Sequence, residues 1–287
     1  MPTPTSTAFA GRVALVTGAS SGIGRVTALA FARGGATVVV VARREALLES
    51  LTAECRTSAP ESFHVAGDLG ERRVAEHVVT ETIRRLGRLD VLVNNAATSM
   101  HKHALHLTPD EIEDVMRVNF LSSVWTTYAA LPHFLQRGEG TVVNVSSFAA
   151  FVTPAREAAY AASKAAMNAF SEGLWHDLAG SGIHVAIVNP GPIDTEIWKK
   201  TDEPTRYSGR LHPPELVADA ILDAVRRRVH ERTVPRGSPM LVTARLLRAL
   251  APGLVRAGMA RMDPVPSELI EAARARARDA TRAGPGR

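Results

Sequence analysis

The sequence is poor in the residues that mark secreted, metal-cluster and membrane-spanning proteins. Cys55 is the one cysteine among 287 residues, which excludes a disulfide framework and argues against a thiolate metal cluster. No run approaches the roughly 18 apolar residues of a membrane span, and residues 1–10 lack the apolar core of a secretion leader. We therefore expect a cytoplasmic protein.

Lysine is also scarce, since only four of the 34 basic residues are lysines. The charge is unevenly spread: residues 1–225 carry 20 basic and 24 acidic side chains, whereas residues 226–287 carry 14 and 5. Clustered arginine can indicate an anionic partner. No basic patch interleaved with aromatics and no base-reading helix accompanies it, so we expect no nucleic-acid binding.

Short apolar runs alternate with helical patterns along most of the chain. This alternation predicts one α/β domain over residues 11–237, a doubly wound parallel sheet of about seven strands with a Rossmann fold. We expect residues 1–10 to form a flexible tail. Residues 238–287 are expected to form a basic amphipathic C-terminal extension that becomes disordered from about Arg274.

Glycines cluster where the first strand meets the first helix, at Gly18, Gly22 and Gly24. At such a turn the backbone can approach a pyrophosphate, whose charge is favoured by the N–H groups of the following helix. The spacing is GxxxGxG rather than the common GxGxxG. A tight loop without a ligand remains the alternative.

The second strand ends in Ala42, Arg43 and Arg44. An acidic side chain here binds the adenosine ribose of NAD, whereas an arginine suits the 2′-phosphate of NADP. Arg43 therefore favours NADP(H) over NAD. The alternative is that both arginines begin a solvated helix with Glu45 as their partner, and Glu45 itself could reach the ribose.

Polar residues also follow the third and fourth strands, at the sheet edge where ligands of open α/β proteins bind. Asp68 can accept a hydrogen bond from an adenine amine or cap the next helix. Asn94 and Asn95 can join neighbouring strand ends as well as touch a ligand. His101, His103 and His106 lack a carboxylate or cysteine at ligand spacing, so we expect no metal site.

Tyr160 and Lys164 lie four residues apart in an alanine-rich helix and so share one face. If the two charged heads lie about 4 Å apart and partly out of water, with an effective dielectric of about 20, the ammonium stabilises the phenolate by roughly 4 kcal/mol. In that arrangement the pKa of Tyr160 falls well below its usual value, which suits proton transfer. The alternative is an ordinary helix with Tyr160 packed and Lys164 in solvent. Ser146 and Ser147, at the end of the fifth strand, bring hydroxyl groups to the same edge.

In this order the motifs resemble those of the short-chain dehydrogenase/reductase family, over roughly residues 10–237. Ala97 departs from the family pattern by replacing its usual glycine. The matching positions are 17–24 for its TGxxxGxG turn, 94–97 for its NNAG stretch, Ser147 for its serine, Tyr160 and Lys164 for its YxxxK motif, and Pro190-Gly191 for its PG turn.

The resemblance implies an NADP(H)-dependent oxidoreductase that interconverts a small-molecule carbonyl and a secondary alcohol. It assigns Tyr160 as the general acid in reduction and the general base in oxidation. Lys164 would lower the pKa of Tyr160 and hydrogen-bond the nicotinamide ribose, and Ser147 would hold the substrate oxygen. Asn119 would position a water behind Lys164. The implied NADPH contacts are Gly18, Ser20, Ser21, Gly22, Ile23, Gly24, Arg43, Asp68, Leu69, Asn95, Tyr160, Lys164, Ile193 and Thr195.

The resemblance also implies a homodimer or homotetramer formed through the helices near Asn119 and Tyr160. It does not cover the extension, for which three hypotheses stand: packing on the body or a second subunit, closure over an apolar substrate, or contact with an anionic membrane surface. The last would make the protein a peripheral reductase of lipid-like substrates. A regulator that binds NADPH without chemistry is a further alternative.

Overall fold

The computed structural model describes residues 7–198, 207 and 209–283. Its centre is one sheet of seven parallel strands in the order β3-β2-β1-β4-β5-β6-β7. The strands are β1 Val13–Thr17, β2 Thr37–Ala42, β3 Phe63–Ala66, β4 Val91–Asn94, β5 Gly140–Val145, β6 Ile183–Pro190 and β7 Glu231–Val234.

Helices cover both faces of this sheet. The strand order reverses direction between β1 and β4, which leaves a crevice at the carboxyl edge. The predicted doubly wound Rossmann fold is confirmed. The helices are α1 Gly22–Arg33, α2 Glu45–Arg56, α3 Arg72–Leu86, α4 Pro109–Met116, α5 Ser122–Arg137, α6 Ala158–Asp177, α7 Glu215–Arg227, α8 Pro239–Leu250, α9 Pro252–Met262 and α10 Ser267–Ala283.

The central strands are apolar on both sides because each side meets a helical layer. On one side Phe31 of α1, Leu48 of α2 and Ile221 of α7 are buried in one cluster with strand residues. On the other, Val78 of α3 and Phe134 of α5 belong to a second cluster. This double layer holds the carboxyl edge of the sheet in place.

Between α4 and α5 the chain makes a π-helical turn, Arg117–Leu121, that contains Asn119. Thr108 and Glu111 form a capping box at the start of α4, as the sequence predicts, with Pro109 at its first position. The segment from Pro109 to Arg137 is thus not one regular α-helix, because the π turn falls at Asn119, and such π turns occur preferentially at functional sites.

Both ends of the chain differ from expectation. Phe9, assigned to a flexible tail, is buried against Phe31 at a ring-centroid distance of 5.0 Å, and its N–H donates to the Gly34 carbonyl at 2.9 Å. The described part of the expected tail, residues 7–10, is therefore anchored because an aromatic side chain fills a gap beside α1, and residues 1–6 lie outside the described part of the chain. At the other end, α10 continues through Arg274 to Ala283, beyond the point where we expected disorder.

After β6 the chain makes a short 3-10 turn, Glu196–Trp198, and residues 199–206 and 208 lie outside the described part of the chain. None of the helices described is both long and apolar enough to cross a membrane.

Candidate active site

The glycine-rich turn is packed too tightly for side chains. Gly18 and Gly22 adopt the left-handed region, with φ of +65° and +53°. A Cβ atom on Gly18 would lie 2.7 Å from the Cα of Ala96, and one on Gly24 would lie 2.5 Å from the Asn95 amide nitrogen. Because the glycines carry no side chains, an anion can approach the backbone between β1 and α1 at the N-terminus of α1. We call this turn, residues 18–24, the glycine cradle, and it fits a dinucleotide pyrophosphate.

A cavity of about 250 Å³ opens over this turn at the carboxyl edge of the sheet. It brings together twelve of the fourteen predicted cofactor residues. The two that do not line it are Gly24, which packs behind the turn, and Ile193, whose side chain is buried in the core. The lining residues predicted from sequence are Gly18, Ser20, Ser21, Gly22, Ile23, Arg43, Asp68, Leu69, Asn95, Tyr160, Lys164 and Thr195.

Arg44, which the sequence motifs do not single out as a cofactor contact, makes shorter polar contacts in this cavity than Arg43 does. Its guanidinium donates to Ser20 Oγ at 3.0 Å, to Ser21 Oγ at 2.6 Å and to Glu196 Oε2 at 2.9 Å. Arg43 is more exposed and lies 3.8 Å from Asp68 Oδ2. Both cations line the cavity, and Arg44 was missed because only the folded turn shows that it points back towards the serines.

Asp68 and Asn95 line the cavity, and each hydrogen-bonds a backbone group nearby. Asp68 Oδ1 accepts from the Gly70 N–H at 2.9 Å, so the carboxylate caps its own turn rather than α3. The Asn95 amide donates to the Thr17 carbonyl at 3.0 Å. Asn94 points inwards and donates to Asn144 Oδ1 at 2.9 Å, joining β4 to β5. One asparagine therefore joins strands while the other faces the cavity.

Tyr160 and Lys164 line the cavity together with Ser146, whereas Ser147, the serine selected from the sequence, does not line it and is placed beside Tyr160 by a side-chain hydrogen bond. Burial raises the pKa of Tyr160 to about 12, and a side-chain hydrogen bond with Ser147 opposes that rise. Burial lowers the pKa of Lys164 to about 8. Lys164 Nζ donates to the Val145 carbonyl at 3.0 Å and lies 5.8 Å from the Tyr160 ring centroid. The pKa of Tyr160 is therefore shifted upwards, opposite to the expected lowering, because burial of the phenol is the largest cause and Lys164 directs its ammonium to the Val145 carbonyl.

Asn119 is fully buried behind this group. Its Oδ1 accepts from the Thr98 N–H at 2.7 Å, and its Nδ2 donates to the Thr98 carbonyl at 3.0 Å and to Ser163 Oγ at 3.1 Å. Ser163 in turn donates to the Tyr160 carbonyl at 2.7 Å. The Asn119 side chain thus joins the π turn to α6, and its relay role stays a prediction.

Two loops, residues 101–107 and 151–157, lie near the start of α6, and the C-terminal extension contacts both. The Arg156 carbonyl accepts from the Lys102 N–H at 2.9 Å, and the Arg156 guanidinium makes a two-point ion pair with Asp263 at 2.6 and 2.8 Å. Both side chains are only 11% exposed. Arg276 Nη2 of α10 donates to the Leu105 carbonyl at 3.4 Å. Arg156 has a φ of 63°, a strained value for a non-glycine residue.

Comparison with known proteins agrees with this geometry. The sequence profile described as short chain dehydrogenase matches residues 12–206. The chain belongs to the short-chain dehydrogenase family. The expectation from the sequence motifs is therefore confirmed.

Relatives in this family carry different names. The chain is 34% identical over 221 residues to the uncharacterized oxidoreductase YxnA of Bacillus subtilis, covering 74% of this chain and 62% of that protein. It is 40% identical over 191 residues to the 11-beta-hydroxysteroid dehydrogenase 1A of Arabidopsis thaliana, covering 65% of this chain and 54% of that protein. The chain therefore spans about half to three fifths of these two relatives.

A solved short-chain dehydrogenase structure shares the fold over nearly its whole length. It is the 3-ketoacyl-(acyl-carrier-protein) reductase of Brucella melitensis in complex with NADH. The TM-score is 0.73 at 28% sequence identity, and the match covers 80% of this chain and 98% of that one.

Proposed function

We propose that this chain is an NADP(H)-dependent oxidoreductase that interconverts a carbonyl and a secondary alcohol, with Tyr160 as the acid or base. The observation that carries the proposal is that Tyr160 and Lys164 line the same cavity as the glycine cradle, with Ser147 hydrogen-bonded to Tyr160. The NADH complex of the Brucella neighbour supports a nicotinamide cofactor.

In the reducing direction Tyr160 gives its hydroxyl proton to the substrate oxygen while the carbonyl carbon gains a hydride. A bound nicotinamide cofactor supplies that hydride and accepts it back in oxidation. With a pKa of about 12 the phenol keeps its proton at neutral pH, as reduction requires. Ser147 orients the same oxygen by hydrogen bonding.

Lys164 stabilises the negative charge that develops on Tyr160 as the proton leaves. Its ammonium is buried, so little solvent screens the attraction. With a pKa of about 8 it remains largely charged at neutral pH. Tyr160 and Lys164 would also hold the nicotinamide ribose, and the glycine cradle would hold the pyrophosphate.

The adenosine end of the cavity supports NADP(H) over NAD(H). Ala42 leaves no carboxylate where NAD-dependent proteins hold the ribose, and Arg43 and Arg44 bring two cations to that position. Arg44 also contacts the hydroxyl groups of Ser20 and Ser21, which can donate to a phosphate.

Replacing Tyr160 by phenylalanine tests the chemistry. We expect Tyr160→Phe to lower NADPH-dependent kcat by about 10²–10⁴-fold on any carbonyl substrate the wild type reduces, because the proton donor is lost. NADPH affinity, followed by fluorescence, should fall only fewfold, because one hydrogen bond to the nicotinamide ribose is lost. The matched control is Tyr128→Phe, whose phenol is 58% exposed on α5. Unchanged turnover by Tyr160→Phe would rule out the assigned acid.

Cofactor choice is tested separately by titrating NADPH and NADH. The double variant Arg43→Gln/Arg44→Gln should bind NADPH about 10–100-fold more weakly and NADH nearly as before, because two charged contacts to one phosphate are removed. Each single variant then shows which arginine matters more. An unchanged NADPH preference in the double variant would reject the 2′-phosphate assignment and leave the catalytic proposal standing.

We also propose that the chain forms a homodimer or homotetramer through α5 and α6. Tyr128 and Leu135 of α5 are 58% and 53% exposed, and Trp175 of α6 is 43% exposed. Such aromatic and aliphatic side chains on adjoining helices are typical of subunit interfaces. Light scattering of Tyr128→Glu, which should release smaller species, tests this assembly.

A further inference from the structure

The C-terminal extension turns an apolar face away from the body. In α8, Leu241 is 3% exposed and packs beside Gly191, whereas Val242, Leu246 and Leu250 are 52%, 55% and 82% exposed. These three residues recur every four positions and so form one stripe. Because the apolar stripe of a surface helix normally faces the core, the orientation of α8 is the reverse of the usual one.

Further exposed apolar residues lie on α8 and on the following helix. Leu254 of α9 is 72% exposed, and Met240 and Leu247 of α8 are 55% and 45% exposed. We call the six exposed apolar residues 240, 242, 246, 247, 250 and 254 the α8–α9 face; it gathers them in two consecutive helices, whereas exposed apolar residues on ordinary surfaces occur singly.

The charge around the α8–α9 face is of one sign. Residues 239–262 contain four arginines and no acidic residue. Arg245 is held inwards by an ion pair with Glu231 at 2.8 Å and lies 4.2 Å from the Phe151 ring centroid. Arg248, Arg256 and Arg261 are exposed. A second copy docked by the same face would oppose arginines to arginines with no carboxylate to pair them.

We infer that the α8–α9 face docks on an anionic phospholipid surface. Exposed leucines beside arginines on a helix of low net hydrophobicity are the pattern of helices that lie in a membrane interface. Each arginine near such a surface adds electrostatic attraction to lipid headgroups. Asp263 and Arg276 join this extension to the loops 151–157 and 101–107, so docking would hold those loops close to the lipid.

The test is co-sedimentation of the full-length protein with vesicles of phosphatidylcholine alone or of an equal mixture of phosphatidylcholine and phosphatidylglycerol. We expect the wild type to bind the mixed vesicles at least about tenfold more tightly, with affinity falling at high salt. Leu250→Glu/Leu254→Glu should lose at least about tenfold of that affinity. Arg248→Gln/Arg256→Gln should lose much of the preference for phosphatidylglycerol.

The matched control is Leu47→Glu, because Leu47 is an exposed leucine on α2, outside the extension. It should bind vesicles as the wild type does, and thermal unfolding should show that every variant is folded. Equal, negligible binding of wild type to both vesicles, or unchanged binding by Leu250→Glu/Leu254→Glu, would overturn the proposal. A fall in mass by light scattering in that variant, without an effect on vesicles, would identify a subunit contact instead. None of these outcomes depends on catalytic turnover.

Discussion

The two sides of the cavity are held in place by different forces. On the cofactor side, backbone packs against backbone at Gly18 and Gly24, with no room for a Cβ atom. On the side of Tyr160, where we expect the substrate to bind, two loops near α6 are held by ion pairs and hydrogen bonds from the C-terminal extension, most clearly by the Arg156–Asp263 pair. The first arrangement admits few residue types, whereas the second can be built from common surface residues.

This difference predicts that substitutions on the two sides have separable effects. Changes in the cradle should act on cofactor affinity and folding. Changes in the extension should act on substrate affinity and leave cofactor binding intact. The catalytic group lies between the two sides and should respond to both.

The largest expected effect is on the cofactor side, from Gly24→Ala. The added methyl group would meet the Gly18 carbonyl and the Asn95 amide, so the turn must shift. We expect at least about a 100-fold loss of NADPH affinity and about 2 kcal/mol of lost stability from overpacking. Titration and denaturant unfolding measure the two effects.

Gly173→Ala is the matched control, because a Cβ atom on Gly173 of α6 meets nothing within 4 Å. It should be neutral or slightly stabilising through helix propensity. Equal NADPH affinity in the two alanine variants would mean that the cradle does not depend on close backbone packing.

Asp263→Asn is the corresponding change on the substrate side. Removing one member of a largely buried ion pair is expected to cost about 2–3 kcal/mol, concentrated in the contact of the extension with residues 101–107 and 151–157. KM for the carbonyl substrate should rise severalfold with NADPH affinity unchanged. Limited proteolysis should show faster cleavage of the extension.

Asp114→Asn serves as its control, since the Asp114–Arg117 pair is exposed and should contribute at most about 0.5 kcal/mol. A loss of NADPH affinity in Asp263→Asn equal to its effect on KM would contradict the separation of the two sides.

Lys164→Met changes the residue group between the cradle and the loops near α6, and its effect is measured as a change in the free energy of unfolding. Burial lowers the pKa of Lys164 from 10.5 to about 8, which costs the folded protein roughly 3 kcal/mol below pH 8. Allowing about 1 kcal/mol for the lost bond to the Val145 carbonyl, the methionine variant should be about 2 kcal/mol more stable at pH 7. It should also be inactive.

The stability difference between the wild type and Lys164→Met should depend on pH. An unfolded chain keeps the Lys164 proton up to about pH 10.5, so wild-type stability relative to the variant should rise between pH 8 and pH 10.5. Denaturant unfolding at several pH values measures it. A stability difference that is constant with pH would mean that Lys164 pays no burial penalty.

The smallest expected effect comes from Ser163→Ala, which removes the hydroxyl between Asn119 and Tyr160. Losing these hydrogen bonds should cost about 1 kcal/mol of stability and lower kcat a fewfold, because both partners keep other contacts. Ser181→Ala, a turn serine remote from the cavity, is the control. Loss of kcat as large as in Tyr160→Phe would show that Asn119 positioning is essential.

Sequence reasoning succeeded where local chemistry demands a residue type. The parallel sheet and most of the cavity lining follow from strand patterns, the glycine turn and the Tyr160–Lys164 spacing. It failed where the fold joins distant residues. Arg44 and Arg43 are adjacent in the sequence, and only the fold shows which side chain points to the serines. Asp263 pairs with Arg156, which lies 107 residues earlier in the chain. The raised pKa of Tyr160 likewise depends on burial that spacing does not reveal.

The π turn around Asn119 contains one residue more than a regular helix needs at that point. Each helical residue turns the chain by about 100°, so the extra residue rotates the side chains of α4 by about that angle relative to those of α5. Deleting Val118 would convert the segment to a continuous helix and rotate Thr108 and the whole of α4 relative to Asn119. The catalytic end of the cavity therefore depends on an insertion in the chain as well as on the identity of its side chains.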